Sequence, residues 1–186
     1  MTDPRKLGVL LGATLLALTP HAALAQQQCV TEAEVSAMTI YAVPSMVKSM
    51  QTRCGPRLAA NGFLATRGLE FAGRYAALQE RVWPRAKSGL LKLIASQALA
   101  EASARNQNTR GLEMIGGLPD QAVRPFVDAL IVQELGPRIE LANCGKIERV
   151  MQAVAPIDPE VSAGLIGLVM GLAQPPSISI CPETTR

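Results

Sequence analysis

Ser45 and Lys48 lie three residues apart in the pattern S-x-x-K. On a helix that spacing brings a hydroxyl beside an amine able to take its proton, which is the requirement for an activated serine nucleophile. The usual general base is missing. The only histidine is His21, inside an apolar N-terminal stretch that reads as a removable leader. Without it, Ser-His-Asp and Cys-His catalysis, histidine-containing zinc sites and C-x-x-C-H haem attachment all fall away.

The Ser45–Lys48 pair resembles the nucleophile and lysine of penicillin-binding proteins and serine β-lactamases, and Lys87-Ser88-Gly89 resembles their third element. No S-x-N element lies between them. The third element falls near the start of a helical pattern rather than on a strand, and the chain is shorter than those enzymes. A small serine hydrolase is therefore the alternative reading. The ordinary one is a helix restart with an exposed Lys48, and no catalytic residue, cofactor or metal ligand is assigned.

Cys29, Cys54, Cys144 and Cys181 are separated by 25, 90 and 37 residues, with no C-x-x-C. An even count in an exported chain implies two disulfides. Cys29–Cys54 with Cys144–Cys181 is the expected pairing, each bridge bracketing a helical pair. An unbroken helix between Cys29 and Cys54 would span ~30 Å and forbid the first bridge, so this pairing needs a bend at Pro44.

Arg67, Arg74 and Arg81 recur every seven residues, with Arg85 and Lys92 beyond. Lys87 included, this stretch holds six basic residues against Glu70 and Glu80. The arginines fall beside an apolar stripe of Phe71, Tyr75 and Leu78. From there they could grip an anionic envelope component, or stand as the solvated edge of a core-facing helix. Tyr75 and Trp83 read as packing rather than ligand stacking.

These residues require helices to position them. Thr31 and Glu34 form a capping box opening the first helix. Pro44 is expected to break it, and Gly55-Pro56 to stop it. A second helix is expected from about Thr66 to Val82 and a third from Pro84 to about Arg105, divided at Trp83-Pro84. A short helix follows near Thr109 to Ile115. Pro119 and Pro125 bracket a turn, and the next helix runs to Gly136-Pro137. Asn143 is expected to cap another, ending at Pro156. Asp158-Pro159-Glu160 starts the last, which reaches Ala173. Its Gly164, Gly167 and Gly171 suggest a central buried helix or, less simply, a dimer seam. Pro175-Pro176 and Ser-Ile-Ser-Ile then read as a short extended tail.

Arg5 and Lys6, an apolar run from Leu7 to Leu18, and Ala23-Leu24-Ala25 have the order of a secretory signal peptide cleaved before Gln26. The apolar run is too short to span a bilayer core of ~30 Å. Residues 26–186 then form a single domain. The leader carries a net +1 of the chain's +3, and the remaining +2 is too weak a field to argue for nucleic acid. The chain is 48% hydrophobic but 3% aromatic, so its core must be aliphatic. The alanine-rich leader, Cys29, Thr31-to-Glu34, Val43-Pro44-Ser45 before Cys54, and Cys181-Pro182 resemble uncharacterised exported helical proteins of alphaproteobacteria. No assigned activity comes with that resemblance. The expected molecule is an all-α bundle of six or seven short helices with two disulfides, periplasmic or secreted, without a transmembrane span after cleavage. Its expected role is a non-enzymatic binding or interaction module with an anionic envelope component or a protein as partner, or else a purely structural or inhibitory protein.

Overall fold

The computed structural model describes residues 29–105, 117–176 and 178–182. The leader and the helix expected near Thr109 to Ile115 lie outside them. Seven α-helices occur among the described residues: α1 Glu32–Cys54, α2 Phe63–Thr66, α3 Gly68–Ala76, α4 Gln79–Arg105, α5 Asp120–Arg138, α6 Cys144–Val154 and α7 Pro159–Ala173. The all-α expectation holds. The extended tail is also present as a parallel bridge between Val30 and Ile180.

α1 is the axis of the molecule and packs against α3, α4, α5 and α7. It begins as expected: the Thr31 side chain accepts from the Glu34 amide, and the Glu34 carboxylate accepts from the Thr31 amide. It does not break at Pro44 but runs 23 residues through it. A proline ring loosens the helical ladder in the preceding turn. In that turn Gln79 of α4 adds a cross-helix bond, its side-chain amide donating to the Tyr41 carbonyl at 2.8 Å.

The continuous α1 overturns the expected disulfide pairing. Cys54 ends a helix that starts just after Cys29, so the two sulfurs lie at opposite ends of it. The bridges are Cys29–Cys181 and Cys54–Cys144, with Cα–Cα distances of 5.0 and 5.5 Å. They close separations of 152 and 90 residues. In a chain-entropy model loops of that size each stabilise the fold by about 4–5 kcal/mol. Two such bridges belong to an oxidising compartment outside the cytosol.

Other proline boundaries are also crossed. Pro84 lies inside α4, and Pro125 and Pro137 inside α5. Pro84 and Pro125 sit in the second turns of their helices, where a proline removes one ladder bond. Burial of Trp83 and Ala86 on α4, and of Val123 and Val127 on α5, outweighs that loss. The expected helix over 66–82 is interrupted at Ala77-Leu78. Asn143 precedes α6, but its side chain donates to Glu140 rather than capping the helix. Asp158 caps α7 as expected, accepting from the amides of Glu160 and Val161.

The main core joins Ile40, Val47, Phe71, Tyr75, Met151 and Ala163. A second core surrounds Tyr41 and Trp83, whose rings lie 4.8 Å apart. Both Tyr75 and Trp83 are buried, as packing residues should be.

Candidate binding groove

Ser45 turns toward α5, where its hydroxyl donates to the Asp128 carboxylate at 3.1 Å. Lys48 is exposed on α1. The hydroxyl's hydrogen bond thus goes to a carboxylate and not to the amine. Asp128 also faces the Tyr41 hydroxyl. Burial, together with that negative charge, pushes Tyr41 up to about 12, against an opposing pull from Arg124. No group of three or more His, Cys, Asp or Glu able to hold a metal ion occurs among the described residues.

The basic residues do not form one continuous face: Arg67 lies between α2 and α3, Arg74 is on α3, and the break at Ala77-Leu78 separates these from Arg81, Arg85 and Lys92 on α4. Arg67 pairs with Glu70 at 3.3 Å and lies over the Phe63 ring. Arg74 donates to the Ala155 and Ile157 carbonyls and so clasps the C-terminal end of α6. Arg81 pairs with Glu160 of α7 at 2.9 Å, and Lys87 with Asp120 of α5 at 2.8 Å. Lys92 reaches the buried Glu34 at 2.8 Å. Arg85 is exposed. Most of this charge therefore joins helix to helix.

Glu34 is the charged residue whose second role the sequence did not reveal. Besides closing the capping box, its carboxylate accepts from Ser88 at 2.7 Å and from Lys92. Burial alone would raise its pKa. The hydrogen bonds from Lys92, Thr31 and Ser88 outweigh that and hold it below the usual 4.5. Gly89 permits this approach of α4 to α1: a Cβ there would lie 2.9 Å from the Glu34 Cβ.

On the far side of α1 the construction is apolar. Thr39, Val43, Met46, Val47 and Met50 form one stripe along α1, at i, i+4, i+7, i+8 and i+11. They face Leu165 and Ile166 of α7 across a groove of about 320 Å³. Phe71 and Tyr75 of α3 contribute a third wall, and Met151, Val154 and Ile157 close the α6–α7 corner. Three hydroxyl-bearing residues line it: Thr39 donates to the Val35 carbonyl at 2.9 Å, Ser162 donates to the Asp158 carbonyl at 3.0 Å, and Tyr75 adds its phenol. Nothing in the lining carries charge.

α7 is fixed at its middle and near its start, which keeps the groove from collapsing. Midway along it Gly167 lies against α1, where a Cβ would fall 2.6 Å from the Glu32 carbonyl oxygen. Near the start, Arg74 holds the corner and Arg81 holds Glu160. A sealed, empty apolar cavity of this size would cost about 8 kcal/mol. That is comparable with the whole stability of a small domain, ~5–15 kcal/mol. The groove is instead open along one side.

α7 is not the centrally buried helix its glycines suggested. Gly167 and Gly171 pack against Glu32 and Gly164 is exposed, as are Val161, Leu165, Leu168, Val169 and Leu172, Leu172 by 76%. Contiguous apolar surface of this kind marks interaction sites on soluble domains. Among the described residues no single helix is long and apolar enough to cross a membrane.

No family model, curated protein or solved structure matches this chain. The geometry of the groove therefore carries the functional reading.

Proposed function

We propose that the chain is an exported, non-enzymatic binding module, periplasmic or secreted, that takes up an apolar envelope component in the groove between α1 and α7. The observation that carries this reading is the groove itself: about 320 Å³ with an uncharged, mainly aliphatic lining, open on one side. Its volume lies at the lower end of the ~300–1,000 Å³ typical of small-molecule sites. The two disulfides support an oxidising compartment, and the leader-like order of residues 1–25 supports an export route. The basic residues serve this reading as struts. Arg74 and Arg81 hold the corner and the start of α7 rather than waiting for an anion.

The test is native mass spectrometry of oxidised protein isolated from a bacterial envelope, before and after organic extraction. A small apolar mass near one per chain is expected, and Leu165→Trp should remove it. Returning the extract to stripped protein should raise the melting temperature. If stripped protein shows no added mass and no thermal shift on return of the extract, the groove is not a binding site. The same spectrum reads leader cleavage before Gln26.

A further inference from the structure

We propose that the outward face of α7 is a dimer interface, on which a second copy of this chain packs its own α7 antiparallel. This is independent of what fills the groove. At 3.6 residues per turn, Val161, Leu165, Leu168 and Leu172 fall within about 60° of one another around the helix. They lie on the side turned away from the buried Ala163 and Gly167, and all four are exposed. Their spacing of four, three and four residues is that of a coiled-coil seam.

The seam suits its own copy. Its spacing reads the same in both directions. Turned end for end about a two-fold axis between Ile166 and Gly167, it sets Leu165 beside Leu168 of the second copy and Val161 beside Leu172, so that a smaller end residue meets the most exposed leucine. A two-fold interface has to be self-complementary in this way. The charge also fits. No charged side chain occurs from Val161 to Ala173, and the flanking pairs of an antiparallel seam, Ser162 with Val169 and Gly164 with Gly171, are neutral, so doubling the face brings no like charges together. A membrane surface suits it less. Helices that lie on anionic lipid carry Lys and Arg along the polar edge and aromatic anchors. α7 has no basic or aromatic residue, and it starts at Asp158 and Glu160.

The area is sufficient for a reversible pair. With Val169, the seam residues are 40–76% exposed, which offers about 500 Å² of apolar surface per copy. A dimer then buries about 1,000 Å², the lower bound for a specific contact. An isolated helix pair this short would not hold, but α7 is already folded onto α1, so association does not have to order it. A dissociation constant on the order of micromolar is expected.

The experiment is sedimentation equilibrium of the oxidised protein across roughly 1–200 μM, with phosphatidylethanolamine–phosphatidylglycerol vesicles run beside it. The mass should rise from one chain to two across that range, without vesicle binding. Leu168→Glu, at the centre of the seam and outside the groove lining, should weaken dimerisation about a hundredfold while its thermal unfolding at the lowest concentration stays as in the wild type. Val161→Lys and Leu172→Glu should each weaken it about tenfold when made alone. Combined in one chain they should restore it, because antiparallel packing sets the unlike charges side by side and parallel packing sets like beside like. The proposal is overturned if the wild type stays monomeric throughout, if Leu168→Glu dimerises as well as the wild type, or if the double variant is no stronger than the single ones. Monomeric wild type bound to vesicles would overturn it too, and would assign the face to a membrane.

Discussion

α1 has two unlike sides. Toward α4 and α5 it is joined by specific polar bonds: Glu34 to Lys92 and Ser88, Ser45 to Asp128, and the Tyr41 carbonyl to Gln79. Toward α7 it meets aliphatic side chains across a gap. On the first side each polar group has one geometry that satisfies it, so the spacing is fixed. On the second, dispersion contacts are non-directional, and α7 touches α1 along the narrow edge of Ala163 and Gly167 while Leu165 and Ile166 stand across the groove. The polar side sets the shape of the molecule, and the apolar side is left able to accept something.

The largest effect should come from the polar side. Lys92→Met removes the cation from Glu34 and leaves a buried carboxylate with hydroxyl and amide donors alone. A loss of about 3 kcal/mol is expected, read as a drop in the urea midpoint at unchanged slope. The pH dependence follows from the lowered pKa of Glu34. Its contribution is present above the unfolded value near 4.5 and disappears as pH falls through the folded value below it. The stability gap between wild type and Glu34→Gln should therefore shrink on acidification below about 4.5. A gap that stays constant from pH 7 to 3 would mean that Glu34 carries no buried charge.

The two sides also differ in how much of them could be read from the residues alone. Local features were legible because neighbouring residues determine them. The Thr31–Glu34 box, the Asp158 cap and the apolar stripe of Phe71 and Tyr75 all stand where expected. Pro44 was misread as a break because packing of α1 against α3, α4, α5 and α7 outweighs the one lost ladder bond, and those partners are distant in sequence. The disulfide pairing failed with it, since the expected bridge needed the bend that Pro44 does not make. Glu34 was seen as a cap, but not as the partner of a lysine 58 residues on. The groove was least visible, being a space between helices rather than a motif. Its signals were the α1 stripe from Thr39 to Met50 and a last helix with no charge from Val161 to Ala173.

Added volume gives a second, smaller contrast, and its sign should differ between the sides. Ala37 is buried in the core around Tyr41 and Trp83. Ala37→Ile should overpack it and cost about 2 kcal/mol. Val43 lines the groove, and Val43→Phe should fill part of the gap and add about 1 kcal/mol. Thermal unfolding of the two oxidised variants measures both. Destabilisation by Val43→Phe of the same size as by Ala37→Ile would show that the groove closes in solution.

The smallest effect belongs to the surface pair that joins α4 to α7. Arg81 and Glu160 lie 2.9 Å apart, but their side chains are 61% and 56% exposed. Solvent and salt screen such a pair, so Arg81→Ala should change global stability by less than about 0.5 kcal/mol. Its place matters more than its strength. It holds the first turn of α7 beside the groove, so loosening it should act on opening rather than on unfolding. Amide hydrogen exchange in Glu160 to Leu165 should speed up in Arg81→Ala, while exchange in the Tyr41–Ser45 turn of α1 stays as in wild type. Equal acceleration in both segments would mean that the two sides of α1 move as one unit.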